Sequence, residues 1–120
     1  MTVFVDDMDA AYTPPHVTGR RYVLSHMIAD TDAELFAMAR KIGVARKWYQ
    51  GDHFDITKSK KALAIKLGAK LIPYRTLAAM ANNRRAGLGL GSPDTAEAVM
   101  RKRLRARVPA KTPKRYRGEA

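Results

Sequence analysis

Residues 31–43 carry a helix with both of its ends marked, and this feature limits the folds open to the chain. Thr31, Asp32, Ala33 and Glu34 match a capping box, in which the Thr hydroxyl and the Glu carboxylate reciprocally satisfy free backbone amides. Leu35, Met38, Ala39 and Ile42 follow at i, i+3, i+4 and i+7, and Gly43 stands where a left-handed C-terminal cap belongs. A single apolar stripe on so short a helix is stable only against another layer of structure.

The neighbouring segments predict that layer to be a sheet. Thr2, Val3, Phe4 and Val5 form a β-branched and aromatic run that ends at Asp6 and Asp7. Pro14, Pro15 and Gly19 mark a loop, and residues 21–28 supply a second strand through Tyr22, Val23 and Leu24. Residues 44–50, centred on Trp48 and Tyr49, read as a third strand closed by a turn at Gly51 and Asp52. A helix over residues 57–67 stops at Gly68, and residues 69–74 give a short fourth strand that Pro73 places at a sheet edge.

Helix, glycine and strand thus occur twice in succession, which predicts an α/β fold with a mixed or partly parallel sheet of about four strands flanked by helices. Residues 76–83 continue as a helix. The expected organisation is an α/β domain over residues 1–83, a glycine-rich linker over 84–92, a helix over 93–104 and a basic, disordered tail over 105–120. Ser92 and Pro93 suit the start of that last helix, whose apolar positions Ala96, Val99, Met100 and Leu104 are few.

Charge is distributed unevenly between the two halves. Residues 1–57 hold six Lys and Arg against eight Asp and Glu, whereas residues 58–120 hold seventeen against three. Nine of those cations, Arg101, Lys102, Arg103, Arg105, Arg107, Lys111, Lys114, Arg115 and Arg117, fall within residues 101–117. Such a density is expected to attract nucleic acid by counterion release, with arginine suited to phosphate. Lys58, Lys60, Lys61 and Lys66 read as the solvated face of the second helix, and Trp48 as a core residue beside solvated Arg46 and Lys47.

The chain has no cysteine, which excludes disulfides, thiol nucleophiles and zinc fingers. Residues 1–9 carry three aspartates where a secretory signal needs positive charge, and no apolar run approaches the roughly 20 residues that span a bilayer. A cytoplasmic protein without a membrane partner is expected. Ser25 and His26 do not make a catalytic pair, because neighbours in a strand point to opposite faces. Gly87, Gly89 and Gly91 lack dinucleotide-fingerprint spacing and read as a hinge.

Ligand sites of open α/β sheets gather at the carboxyl ends of strands. Asp6, Asp7, His26, Asp30, His53 and Asp55 all fall near such ends and form the candidate pocket. Imidazole and carboxylate are ligands for a divalent metal ion, the cofactor this set suits, and a metal there would activate water for hydrolysis.

Val5, Asp6 and Asp7, the run His26, Met27, Ile28, Ala29, Asp30, Thr31 with Glu34 and Leu35, and His53, Phe54, Asp55, Ile56 with Ser59, Lys60, Gly68 and Ala69 together resemble the domain of unknown function family numbered 4031. The resemblance covers about residues 1–75 and implies a small bacterial or phage protein, with no activity, cofactor or catalytic residue to carry over. Phe54 stands where the family has Tyr, which would remove one hydroxyl from a shared site. Three expectations compete: an accessory protein that binds nucleic acid through residues 101–117, a metal-dependent hydrolase or nuclease using the pocket, and a module that binds a protein partner.

Overall fold

All four residues of the first strand, β1 (Val3–Asp6), are buried, and they divide between two cores. Val3 and Val5 join the apolar side chains of one face, while Phe4 joins those of the other. A strand covered on both sides lies between two layers. The computed structural model describes residues 2–13 and 21–107, with Arg107 described in its backbone only.

Within those residues the order is β1, β2 (Ala10–Tyr12), β3 (Tyr22–Ala29), α1 (Asp32–Ile42), a 3-10 turn (Arg46–Trp48), β4 (Phe54–Thr57), α2 (Lys58–Lys66), β5 (Lys70–Ile72), α3 (Tyr74–Arg85) and α4 (Ala96–Arg107). The sheet is mixed: β1 runs antiparallel to β3 and parallel to β5, and β3 also takes β2 and β4 antiparallel. Leu24 pairs with both Ala10 and Thr57, and Met27 with both Val5 and Phe54. Hence β1 and β2 lie end to end along one edge of β3, and β4 lies along the other.

The α1 and α2 layer covers Val3, Val5, Met27, Phe54 and Ile56, using Leu35, Met38, Ala39, Ile42 and Ala64. Burying a side chain the size of Leu35 or Phe54 contributes about 1.5–3 kcal/mol. The opposite layer, α3 and α4, covers Phe4, Ile28 and Ile72 with Leu77, Met80 and Ala96, and Leu90 is buried in it as well. Thr31 caps α1 through its hydroxyl, which accepts from the Glu34 amide at 3.2 Å. Gly43 ends the helix at φ 78°, a left-handed conformation costly for other residues, and the Val44 amide then closes onto the Ala39 carbonyl at 2.8 Å.

The expected strand over residues 44–50 is not present. Those residues form the 3-10 turn and its flanks, and the edge of β3 is taken instead by β4, a strand over residues to which the sequence assigns no element before the helix expected from Thr57. Tyr49 folds back instead, its ring 4.9 Å from that of Phe36 and its hydroxyl donating to Asp32 Oδ1 at 3.0 Å. Trp48 is 59% exposed rather than in the core, with the Lys47 ammonium 5.2 Å from its ring centre. Two further differences concern short segments: β2 falls within an expected loop, and α4 begins at Ala96 and continues to Arg107. Residues 108–120, where most of the expected tail lies, are outside the described residues.

Candidate metal centre

Asp6 ends β1 opposite His26, and its carboxylate is fully buried. Oδ1 accepts from the amides of His26 at 2.9 Å and Met8 at 3.2 Å, while Oδ2 meets His26 Nδ1 at 2.8 Å. A buried carboxylate is tolerated where several donors surround it. That hydrogen bond raises the His26 pKa from its ordinary 6.5, against the opposing effect of burial and with help from the Asp6 and Asp55 charges.

His26 then faces β4. It pairs with Asp55 across the ladder, so the two side chains share the α3 face of the sheet, and His26 Nε2 lies 3.7 Å from Asp55 Oδ1. From the turn before β4, His53 brings its own Nε2 to within 3.6 Å of the same oxygen. The two imidazoles stand edge to face with centres 5.3 Å apart. One ligand atom each from His26, His53 and Asp55 lies within 4.8 Å of the other two.

His53 repeats the arrangement of His26. Its Nδ1 meets Asp52 Oδ1 at 2.7 Å, and Asp52 Oδ2 accepts from Arg85 Nε at 2.8 Å. Burial pulls the Asp52 pKa upward, but the bonds from Arg85 and His53 outweigh it and hold the carboxyl below its ordinary 3.8. A carboxylate can only accept, so in both rings the proton sits on Nδ1 and a neutral ring offers its Nε2 lone pair to the shared space. Two carboxylates thereby orient two histidines, the relationship found behind metal-bound imidazoles.

Asp55 completes the set in an unusual way. Its Oδ2 accepts from Gln50 Nε2 at 2.7 Å, while its Oδ1 is shielded from water and has no hydrogen-bond partner. Separations of 3.6–3.7 Å exceed the roughly 2.7–2.9 Å of a charge-assisted N–H···O bond, so a protonated histidine does not satisfy this oxygen directly. Two metal bonds of about 2.0–2.1 Å at a tetrahedral angle span roughly 3.3 Å, and the two N···O separations lie within a few tenths of an ångström of that span.

Four of the six expected pocket residues therefore meet: Asp6, His26, His53 and Asp55. The register of β1, β3 and β4 brings them together, rather than a row of parallel strand ends; His26 lies mid-strand and Asp55 inside β4. Asp7 serves elsewhere, accepting from the Tyr74 amide at 2.8 Å at the start of α3. Asp30, at the far end of β3, accepts from the Thr2 amide at 3.1 Å. Asp52 and Gln50 belong to the cluster, although the sequence presented Asp52 only as a turn residue.

A second polar group sits on the other face. Lys61 is buried, contrary to the expected solvated face, and its Nζ donates to Asp9 Oδ1 at 2.6 Å, Ser25 Oγ at 3.2 Å and the Asp6 carbonyl at 3.2 Å. The signal was its place three residues before buried Ala64 on the α2 stripe.

Of the expected phosphate-binding residues, Arg101, Lys102 and Arg105 are exposed on α4. Arg103 turns inward, where its Nη2 donates to the side chains of Asn82 and Asn83. Arg107 ends the helix, and Lys111, Lys114, Arg115 and Arg117 lie outside the described residues.

Fold and cluster together define a three-layer α/β protein with paired histidines at the seam of its sheet. The family model described as "Protein of unknown function (DUF4031)" matches residues 3–84, and the chain belongs to that family. No curated protein and no solved structure gives a match. The matched span contains the whole His/Asp cluster. Phe54 is fully buried on the α1 face, on the opposite side of the sheet from the cluster. No helix among the described residues is long and apolar enough to cross a membrane.

Proposed function

We propose that the chain is a divalent-metal-dependent hydrolase whose ion is held by His26 Nε2, His53 Nε2 and Asp55 Oδ1. The shielded and unpartnered Asp55 Oδ1, facing two oriented imidazoles, is the observation that carries this reading. Three protein ligands leave a position for water, and Zn²⁺ in such a setting lowers the pKa of that water to about 7. Asp6 and Asp52 keep both rings in the ligating tautomer, and Gln50 fixes the free oxygen of Asp55. Ligands of this kind also accept Mn²⁺ or Fe²⁺.

Calorimetric titration of the full chain with Zn²⁺ and Mn²⁺ tests it. One site per chain is expected, lost in Asp55→Ala and His53→Ala and weakened about 10- to 100-fold in Asp52→Asn. Metal-dependent ester hydrolysis should disappear with a chelator. A folded protein that binds no divalent ion, or an Asp55→Ala variant that binds as tightly as the parent, would overturn it.

A second reading, nucleic-acid association, is supported by the exposed Arg101, Lys102 and Arg105, which share α4 with one acid, Glu97, itself bonded to Thr76. Replacing the three cations by Gln should reduce the slope of log affinity for duplex DNA against log salt by about 2 to 3, since each phosphate contact contributes roughly 0.9. Unchanged slope in an anisotropy titration would remove α4 from the interface.

A further inference from the structure

Beside the His/Asp cluster opens a cleft of about 450 Å³, lined by Gln50, Gly51, Asp52, His53, Arg84 and Arg85. His53 belongs to both, so whatever fills the cleft lies next to the proposed ion. The two arginines end α3 and are held differently. Arg84 is anchored from behind, with Nη1 donating to the Ala29 carbonyl at 3.1 Å and Nη2 to Asp32 Oδ1 at 3.3 Å. Arg85 donates only Nε, to Asp52, and its Nη1 and Nη2 have no partner among the described residues. Its side chain is 59% exposed, so that half of the guanidinium fork is open to an incoming group.

A planar fork with paired donors matches an oxyanion that can accept from both nitrogens. The acids nearest the fork do not repel such a ligand fully, because Asp32 and Asp52 are each already bonded to one arginine. A divalent ion on three ligands of which only Asp55 is charged would add further positive charge on the His53 side. From this geometry, and resting on the metal reading above, we infer that the Arg84–Arg85 cleft is the phosphoryl-binding subsite of the centre and that its substrates are phosphate esters. The phosphoryl oxygens meet the open fork of Arg85 while phosphorus faces the position left for water. In the reaction, the water oxygen bonds to phosphorus with one of its protons, the ester P–O bond breaks, and the second proton leaves on the alcohol.

The same phosphoryl group could come from a small monoester or from a polynucleotide backbone. Inorganic phosphate, glycerol phosphate and a short DNA strand are therefore titrated in parallel into the full chain saturated with Mn²⁺. Expected is phosphate binding that falls about tenfold or more in Arg85→Met and less in Arg85→Lys, which keeps charge without the fork. Metal affinity is measured on every variant, since Arg85 also steadies Asp52. Binding of the small esters marks a monoester site, while binding of the strand alone, weakened also by the α4 substitutions, marks a polynucleotide site. Binding of none of the three ligands by the Mn²⁺-loaded parent, or equal binding by Arg85→Met, overturns the subsite and leaves the metal centre standing. If the chain binds no metal, phosphate titration of the metal-free protein separates the two: Arg85-dependent binding retains the subsite alone, and none rejects both.

Discussion

Two polar groups flank the junction of β1 and β3, one on each face of the sheet, and they are finished to different degrees. On the α2 side the buried lysine and serine are fully used. Lys61 has three protons and three acceptors, while the Ser25 hydroxyl donates to Asp9 Oδ1 and accepts from the Asp9 amide and from Lys61. On the α3 side, the same register gathers His26, His53 and Asp55 but leaves one shielded oxygen facing two ring nitrogens without a proton bond. Buried polar groups are satisfied as a rule, so a saturated network explains itself as structure and an unsaturated one points to something bound. The contrast also guards against reading chemistry into proximity alone: lysine beside serine is a nucleophilic pairing elsewhere, yet here Ser25 is 1% exposed and its hydroxyl is fully committed.

The largest expected effect tests the closed group. Lys61→Met should destabilise the fold by about 2–4 kcal/mol in urea unfolding, near the lower range for a broken buried pair because Asp9 can still reach water. By the same measurement on metal-free protein, Asp55→Ala should cost less than about 0.5 kcal/mol or stabilise, since it removes an unsatisfied acceptor. A reversed ranking would break the comparison.

The smallest effect concerns pH, and its sign differs between the two groups. Asp6 raises the His26 pKa above 6.5, so the stability this contributes is fully present below about pH 6.5 and is lost as pH rises through the raised value. Asp9 is lowered below 3.8, first by the bond from Lys61, and its contribution is lost only as pH falls through that lowered value. Between about pH 6 and pH 8 the closed group should therefore be flat while the open one slopes downward. Metal affinity should climb over the same interval, because ligation needs neutral rings. Thermal unfolding with chelator, set against calorimetry with Zn²⁺, checks both; parallel trends would remove His26 from the ligand set.

Much of the architecture was legible in local chemistry. Thr31 and Gly43 bracket α1, Gly68 and Pro73 bracket β5, and the repeated helix-to-strand units implied a sheet with some parallel pairing. The failures share a cause, which is that partners decide strands. Residues 44–50 have strong β composition but join no strand of the sheet, whereas Phe54–Thr57 is only four residues long and pairs along β3. Its alternation was visible, with Phe54 and Ile56 buried on the α1 face and Asp55 and Thr57 half-buried on the other. Asp6, His26, His53 and Asp55 could be nominated by residue type. Their supports could not: Asp52, Gln50 and Arg85 acquire roles only through contacts made across the fold.

Asp7, Met8 and Asp9, between β1 and β2, interrupt the ladder on β3, and Asp9 adopts φ 46° there. If the register of Val3 with Ala29 continued, Ala10 would face Tyr22; it faces Leu24 instead, a displacement of two residues. Two is even, so β2 keeps the facing that β1 began. A single insertion or deletion here would turn the remainder of the edge inside out, sending Ala11 where Tyr12 points now. The spacer also lets two acids three residues apart part company, with Asp6 committed to the α3 side and Asp9 to the α2 side. Length at this point is thus counted in pairs, and any lengthening or shortening that preserves both polar groups must obey that parity.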